Sequence, residues 1–314
     1  RSIFFMVVPF CLASIALAYK FVPTTAPGGA PADRRGAPLD WRGLMLGTLG
    51  TLCLLNGLVA MHRGPYAQAA LLMRGAILFF VLFLWWQRRV SRRGLQPLMD
   101  LRVFSYRQFA MGSVVAFIYG TALFGSTYLL PVFMQLGLQL SASHVGTIML
   151  PSGIVLAMTI PLVGRLADRV PTHWLVSTGL ALLGASFALM MLVGLQSALW
   201  MLVLFAVLGR IGLGFILPSL NLGAMRPLDK TLISQGSSVI GFVRMLGGAA
   251  GVSLCGIVLE WRLGVHGDSL ATAATSAARI AAFGETFLML AGLCLLALIA
   301  AWQLRGAPAQ TDAP

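Results

Sequence analysis

The stretch "LWMLVLFAVLGRIGLGFILPSL" (residues 199–220) holds thirteen Leu, Ile, Val and Phe residues and a single charge, Arg210. A helix of about 20 apolar residues is long enough to cross the hydrocarbon core of a bilayer. On insertion scales a central arginine costs roughly 2.5–3.5 kcal/mol, while each Leu, Ile, Val or Phe contributes about −0.3 to −0.6 kcal/mol. The segment is therefore expected to insert as a helix, with Arg210 facing protein or a water-filled cavity.

Similar apolar runs recur along the 314 residues, which are 58% hydrophobic and 10% charged and have a mean hydropathy of +0.88. A soluble chain of this size cannot bury so many long apolar segments, and an isolated strand in lipid leaves its backbone groups unpaired. The sequence therefore predicts an all-α polytopic membrane protein. We place about nine transmembrane helices at 3–18, 43–61, 65–86, 109–131, 145–163, 175–193, 199–220, 237–259 and 286–302.

The basic residues lie mostly in short loops between these runs and predict the orientation of the chain. The net charge is +13, but nucleic-acid-binding proteins gather their Lys and Arg on one solvated face, so nucleic-acid binding is not expected. One alternate set of loops holds fifteen Lys and Arg and the other holds four. The positive-inside rule places the richer set, and with it the C-terminus, in the cytoplasm of a multi-pass protein of the plasma membrane, the bacterial inner membrane.

This orientation puts the first residue outside the membrane, although no signal peptide precedes the first span. A chain that starts inside would need an odd number of additional spans upstream, so we interpret the sequence as a fragment.

The four cysteines fall in apolar runs and the four histidines lie in loops or at span ends. Neither set has metal-ligand spacing and no loop offers a catalytic constellation, so we expect no metal, no cofactor and no enzyme activity.

Three segments carry a family resemblance through their order and spacing: "PLMDLRVFSYRQFAMG" (97–112), "YLLPVFMQLGLQLSASHVGTIMLP" (128–151), and "LGRIGLGFILPSLNLGAMRPLDK" (208–230) with "GFVRMLGGAAGVSL" (241–254). The chain resembles the C-terminal two-thirds of a 14-span drug:proton antiporter of the major facilitator superfamily, the EmrB/QacA-like branch. The resemblance implies that nine of an expected fourteen helices are present. It assigns 1–22 to the last helix of the N-terminal bundle, 23–107 to cytoplasmic loops and two extra transmembrane helices, and 108–314 to a C-terminal six-helix bundle.

The resemblance implies a secondary active transporter, a proton-driven multidrug efflux permease whose two bundles rock about a midplane site in alternating access. Its partners would be the lipid bilayer, a small amphipathic or cationic substrate and protons. The resemblance to this branch also implies, in Gram-negative cells, a periplasmic adaptor and an outer-membrane duct as partners. Two alternatives stay open: the same fold exporting a metabolite or siderophore, and a non-transporting membrane scaffold or truncated relic.

The segment "GRLADR" (164–169) lies between two predicted spans on the cytoplasmic side and is similar to the loop motif of the superfamily. The resemblance implies that Gly164 permits a tight turn, that Asp168 faces a helix N-terminus, and that Arg165 and Arg169 form ion pairs. A carboxylate near a helix N-terminus gains roughly 0.3–1 kcal/mol, so this contact is suited to latching one conformer. The alternative is that the two arginines only fix the topology.

The candidate residues of the transport pathway are Arg210, Arg244, Tyr119, Gln135 and Asn221. For Arg210 the alternative is a structural hydrogen bond to backbone carbonyls, and Arg244 is close enough to the cytoplasmic end to snorkel. The nearby glycines of "GGAAG" (247–251) indicate close helix packing.

The candidate proton sites are Glu285 and Glu260, at the outer ends of the last two spans, although carboxylates at an interface are usually just solvated. No Asp or Glu lies well inside any predicted span, whereas proton-coupled transporters usually carry the proton on an intramembrane carboxylate. If the chain is a proton antiporter, we expect that carboxylate in the missing upstream spans.

Overall fold

The computed structural model describes residues 2–21, 40–63, 66–95, 97–270 and 276–304. Within these ranges the chain forms nine α-helices and no strand, which confirms the predicted all-α class. The helices are α1 (Ser2–Phe21), α2 (Trp41–Arg63), α3 (Tyr66–Arg92), α4 (Arg107–Val132), α5 (Ala142–Ala167), α6 (Thr172–Met190), α7 (Leu199–Met225), α8 (Ile233–Val265) and α9 (Ala277–Trp302). Helix α1 belongs to one compact unit, Arg1–Leu39, and α2 to α9 belong to a second, Asp40–Pro314.

Helices α2 to α9 are long and apolar enough to cross a membrane, while the described apolar stretch of α1 is the shorter Val8–Phe21. Several helices extend past the predicted spans. The 33 residues of α8 rise about 50 Å, well beyond a hydrocarbon core of about 30 Å, so its ends reach the interfaces. Helix α9 begins at Ala277 instead of residue 286, because the Ser276 hydroxyl caps it by accepting a hydrogen bond from the Arg279 amide at 2.9 Å.

In the second unit, α4 packs mainly along α8, α6 packs between α7 and α9, and α5 packs on α7. The core between α4 and α9 contains a cluster of aromatic rings. Phe133, Phe283 and Phe287 are each at most 1% exposed, and the Phe133 ring lies 5.3 Å and 5.7 Å from the other two. Helices α2 and α3 pack on each other, and α2 also contacts α8. These contacts fix the rotation of each helix and so decide which side chains face the interior.

The contact between α4 and α8 is close enough to exclude side chains. A Cβ atom added at Gly120 would lie 2.0 Å from the carbonyl oxygen of Arg244, and one added at Gly247 would lie 2.1 Å from that of Phe117. The Thr121 hydroxyl donates a hydrogen bond to the Gly247 carbonyl at 2.9 Å across the same crossing. The close packing predicted from "GGAAG" is therefore confirmed.

Asp40 joins the start of α2 to the end of α3. Its carboxylate accepts hydrogen bonds from the Gly43 amide at 2.9 Å, the Trp86 indole at 2.9 Å and the Gln87 side-chain amide at 3.0 Å. The Gln87 carbonyl oxygen in turn accepts from the Met99 amide at 3.2 Å. Burial raises the pKa of Asp40, but these hydrogen bonds outweigh it and hold the pKa below its ordinary value. The network anchors helices α2 and α3 to the segment that leads into α4.

Candidate functional site

Arg210 lies near the middle of α7 and lines a narrow pocket between α4, α6 and α7. The other walls include Ser126 and Leu130 from α4 and Ser186 and Phe187 from α6. The Arg210 side chain is half-buried against protein, which is the orientation that the cost of a guanidinium in lipid favours. Its role in transport stays a prediction.

Three of the predicted pathway residues are brought together by α4, α7 and α8. Tyr119 on α4 is 3% exposed and lies within electrostatic reach of both Arg210 and Arg244. The backbone of Arg244 is pressed against Gly120, the neighbour of this tyrosine, by the close α4–α8 crossing. In the described part of the chain, neither guanidinium has a hydrogen bond or an ion pair. The arrangement is therefore a positively charged patch inside the membrane-spanning region.

Gln135 and Asn221 are not brought into this patch. Gln135 is exposed in the π-helical turn at Phe133–Gly137 that follows α4. Asn221 is exposed on α7, eleven residues after Arg210, which places it about 16 Å further along the helix. Sequence distance along a helix converts into distance along the helix axis, and neither Gln135 nor Asn221 lines the Arg210 pocket. Their role in the transport pathway stays a prediction.

The "GRLADR" segment differs from its prediction in one respect. Gly164 is part of α5, which continues to Ala167, so the turn that leads to α6 begins at Asp168 and the prediction that Gly164 forms the turn is wrong. An added Cβ at Gly164 would meet nothing within 4 Å. Arg165, Asp168 and Arg169 are exposed, and their side chains make no hydrogen bond or ion pair to the described residues. The proposed latch contact stays a prediction.

Glu285 lies inside α9, two turns from its start, in an ion pair that the sequence analysis missed. Both oxygens of its carboxylate accept hydrogen bonds from the Arg262 guanidinium, and the His266 ring lies 3.2 Å from one of them. The two partners are four residues apart at the end of α8, so they share one helix face. The geometry favours a structural tie between α8 and α9 over a proton carrier. Glu260 is exposed and outside this trio.

A second cluster surrounds Arg279, which lies between the predicted spans 237–259 and 286–302. The side chain is 1% exposed and donates to Asp268 at 3.0 Å, to the Ser269 carbonyl at 2.7 Å and to the Leu136 carbonyl at 3.2 Å. The hydroxyl of Ser276 also donates to the Asp268 carboxylate. Hydrogen bonds from Ser276 and then Arg279 lower the pKa of Asp268 to about 2. The signal available in the sequence was Ser276, a preferred N-cap residue, shortly before the apolar run of α9.

The residues described by the structure include no group of three or more His, Cys, Asp and Glu side chains arranged to hold a metal ion.

Comparison with known proteins decides the family. The sequence model described as Major Facilitator Superfamily matches residues 1–252. This chain belongs to the major facilitator superfamily. The resemblance found in the sequence is therefore confirmed, and this superfamily member is a multi-pass membrane protein.

Three relatives of this superfamily member carry drug-resistance names. It is 27% identical to a lincomycin resistance protein, LmrB, of Listeria innocua, over 80% of this chain and 52% of the relative. It is 26% identical to a multidrug resistance protein B homolog of Mycobacterium tuberculosis, over 87% of this chain and 50% of the relative. A colistin resistance protein, EmrB, of Acinetobacter baumannii is 28% identical over 54% of this chain and 33% of the relative. The chain thus spans about half the length of the first two relatives.

Proposed function

We propose that this chain acts in a secondary active transporter that exports amphipathic small molecules by alternating access, with protons as the driving ion. The observation that carries the proposal is the position of Arg210, which lies near the middle of α7 and lines a pocket between α4, α6 and α7. Charged side chains within membrane spans are rare, and they usually mark a substrate or ion pathway. In secondary transporters the substrate site lies near the bilayer midplane between helices, and the position of Arg210 near the middle of α7 supports a role in such a site.

The orientation is part of the proposal: a bacterial inner membrane, with the C-terminus in the cytoplasm. Five arginines are exposed at the end of the α2–α3 pair that holds the Asp40 network, and two of them stack on tryptophans. Arg42 lies 5.2 Å from the Trp86 ring and Arg89 lies 5.3 Å from the Trp85 ring. Basic residues and tryptophans at one membrane boundary are typical of the cytoplasmic interface. The full set is Arg42, Arg88, Arg89, Arg92 and Arg93.

Proton coupling is supported by the family resemblance alone. The export of drugs is supported by the resemblance and by the resistance names of three relatives. A periplasmic adaptor and an outer-membrane duct are supported by the resemblance alone. Two alternatives make different predictions: a metabolite or siderophore exporter would respond to a different substrate panel, and a scaffold would export nothing. No enzyme activity forms part of the proposal.

The test is export of a fluorescent amphipathic dye from energised membrane vesicles that contain the protein. We expect Arg210→Ala to reduce the export rate by about tenfold or more at unchanged membrane abundance, because each 1.4 kcal/mol of lost binding is a factor of ten. Arg88→Ala is the matched control, since Arg88 is an exposed arginine at the end of α3. Full export by the Arg210 variant would refute the pathway role. Absence of export by the wild-type protein for every compound would favour the scaffold.

A further inference from the structure

An open cleft lies between helices α2, α3 and α8, well away from the Arg210 pocket in its lining residues. Its volume is about 500 Å³, within the range of roughly 300–1,000 Å³ that is typical of small-molecule sites. The buried side chains of Phe83 and Val239, which are 8% and 3% exposed, form its floor. Its rim includes the exposed Leu44, Leu52 and Phe242. The cleft therefore has room for a ligand and is open to the surroundings of the helices.

The lining of the cleft favours a hydrocarbon ligand. Among the described residues that line it, none is charged, and the hydroxyl groups belong to Thr48, Thr51 and Ser238. Thr51 donates a hydrogen bond to the Gly47 carbonyl at 2.8 Å, and Ser238 donates to the Ser234 carbonyl at 3.1 Å. Two of the three hydroxyls are thus satisfied within their own helices. A charged group buried in this lining would have no partner, which is costly.

The depth of the cleft corresponds to one leaflet of a bilayer. The 23 residues of α2 rise about 35 Å, slightly more than a hydrocarbon core of about 30 Å, so the start of α2 lies near one interface. The lining residues of α2 run from Leu44 to Leu52, which is from about 5 Å to about 17 Å along the helix from that start. A lipid tail occupies one leaflet, about half of the core, whereas a further transmembrane helix would need the full length of about 30 Å. The cleft therefore matches a lipid tail better than another helix.

We propose that the cleft between α2, α3 and α8 binds an acyl chain of a membrane phospholipid, which inserts from the adjacent leaflet. The bilayer surrounds the protein with acyl chains at high concentration, and mass action favours occupation of an apolar site by the ligand that is most abundant beside it. The bound chain packs between the α2–α3 pair and α8, which contact each other through α2, and so couples this pair to the bundle. Binding of a lipid does not require transport, so the proposal goes beyond the function proposed above and does not depend on it.

The test is photocrosslinking of the whole protein in phosphatidylcholine nanodiscs, in which a small fraction of the lipid carries a diazirine group midway along one acyl chain. Mass spectrometry of the digested protein locates the labelled residues. We expect labelling of Phe83 and Val239, because lipids that touch only the outer surface do not reach these buried side chains. Ile77 and Leu78, which are exposed on α3, report the labelling by surrounding lipid and serve as the internal reference.

Two variants fill the cleft from different helices. Thr48→Trp and Ser238→Trp should each reduce the labelling of Phe83 and Val239 by about tenfold or more relative to the reference, a loss that corresponds to about 1.4 kcal/mol of binding free energy. Leu49→Trp is the matched control and should leave the labelling unchanged, since Leu49 is exposed on α2 but does not line the cleft. Size-exclusion profiles verify that each variant is folded, and the Ser238 variant serves if the Thr48 variant does not fold.

The outcomes distinguish this proposal from the proposed function. Labelling of the reference residues without labelling of Phe83 and Val239 would overturn lipid binding in the cleft, and it is the result expected if a protein segment covers the cleft. Labelling of these two residues that persists in both filled variants would overturn the assignment to the cleft. Neither result affects the export measured in the dye assay. Conversely, absence of export with the expected labelling pattern would refute the transport function and leave the lipid site intact.

Discussion

The Nη2 atom of Arg279 lies 3.0 Å from an oxygen of Asp268, with 1% and 10% of the two side chains exposed. The same guanidinium donates to the carbonyl of Leu136, so one side chain joins the end of α4, the loop after α8 and the first turn of α9. Removal of one member of a buried pair leaves the other member uncompensated, and this is strongly destabilising. Arg279 is therefore expected to be essential for the packing of this end of the bundle.

We expect Arg279→Gln to lower the melting temperature of the purified protein by an amount on the order of 5 °C. Glutamine retains polar atoms but lacks the charge and the several N–H donors of a guanidinium group, so it cannot bind all three acceptors. Arg88→Gln, which changes an exposed arginine at the end of α3, is the control and should shift the melting temperature by much less. Equal shifts for the two variants would contradict the structural role of Arg279. Thermal unfolding in one detergent, followed by intrinsic fluorescence, is the measurement.

The pH dependence of stability should reveal the contribution of the Asp268 carboxylate to the folded state. Its pKa falls from 3.8 to about 2 on folding, so its contribution is fully present above the unfolded pKa and is lost as the pH falls through the folded pKa. The wild-type protein should thus be more stable than Asp268→Asn near neutral pH, and the difference should shrink between about pH 4 and pH 2. The measurement is the melting temperature of both proteins across this range. A difference that does not change with pH would show that Asp268 does not titrate as described.

The α4–α8 crossing predicts a contrast between two glycines of α8. Gly247→Ala places a methyl group against the carbonyl of Phe117, and such overpacking costs about 1–3 kcal/mol. Gly241→Ala meets nothing within 4 Å and should be neutral or stabilising by up to about 1 kcal/mol through helix propensity. Melting temperature and export rate should both fall for the first variant. Similar behaviour of the two variants would indicate that the helices are not in close contact at Gly247.

The ion pair between Glu285 and Arg262 predicts a structural role for the Glu285 carboxylate. We expect Glu285→Gln to lower the melting temperature, because Arg262 and His266 lose their shared acceptor. The pH dependence of export should persist in this variant, as it should in Glu260→Gln. Export that becomes independent of pH in the Glu285 variant would instead identify this carboxylate as a proton carrier. The two readouts, stability and pH profile, distinguish these roles in the same preparation.

The class of the protein and the approximate places of its spans followed from local composition. A run of about 20 apolar residues predicts a transmembrane helix whichever helices it packs against. Helices α2 to α9 therefore lie close to their predicted positions. The ends were less accurate, as at α9, because capping by Ser276 extends the helix into the interface. The glycines at 247–251 were also interpreted correctly, since small residues in a transmembrane helix most often serve packing.

The partners of the charged residues required the tertiary structure. From the sequence, Arg279 and Arg165 look alike, as arginines near span ends, yet Arg279 is buried in a hydrogen-bonded cluster and Arg165 is exposed. Likewise, hydropathy placed Arg210 inside a span, but only the crossing of α4 with α7 and α8 brought it near Tyr119 and Arg244. Hydropathy depends on neighbours in sequence, whereas burial and pairing depend on the rotation and crossing of whole helices, which are set by residues far apart in the sequence.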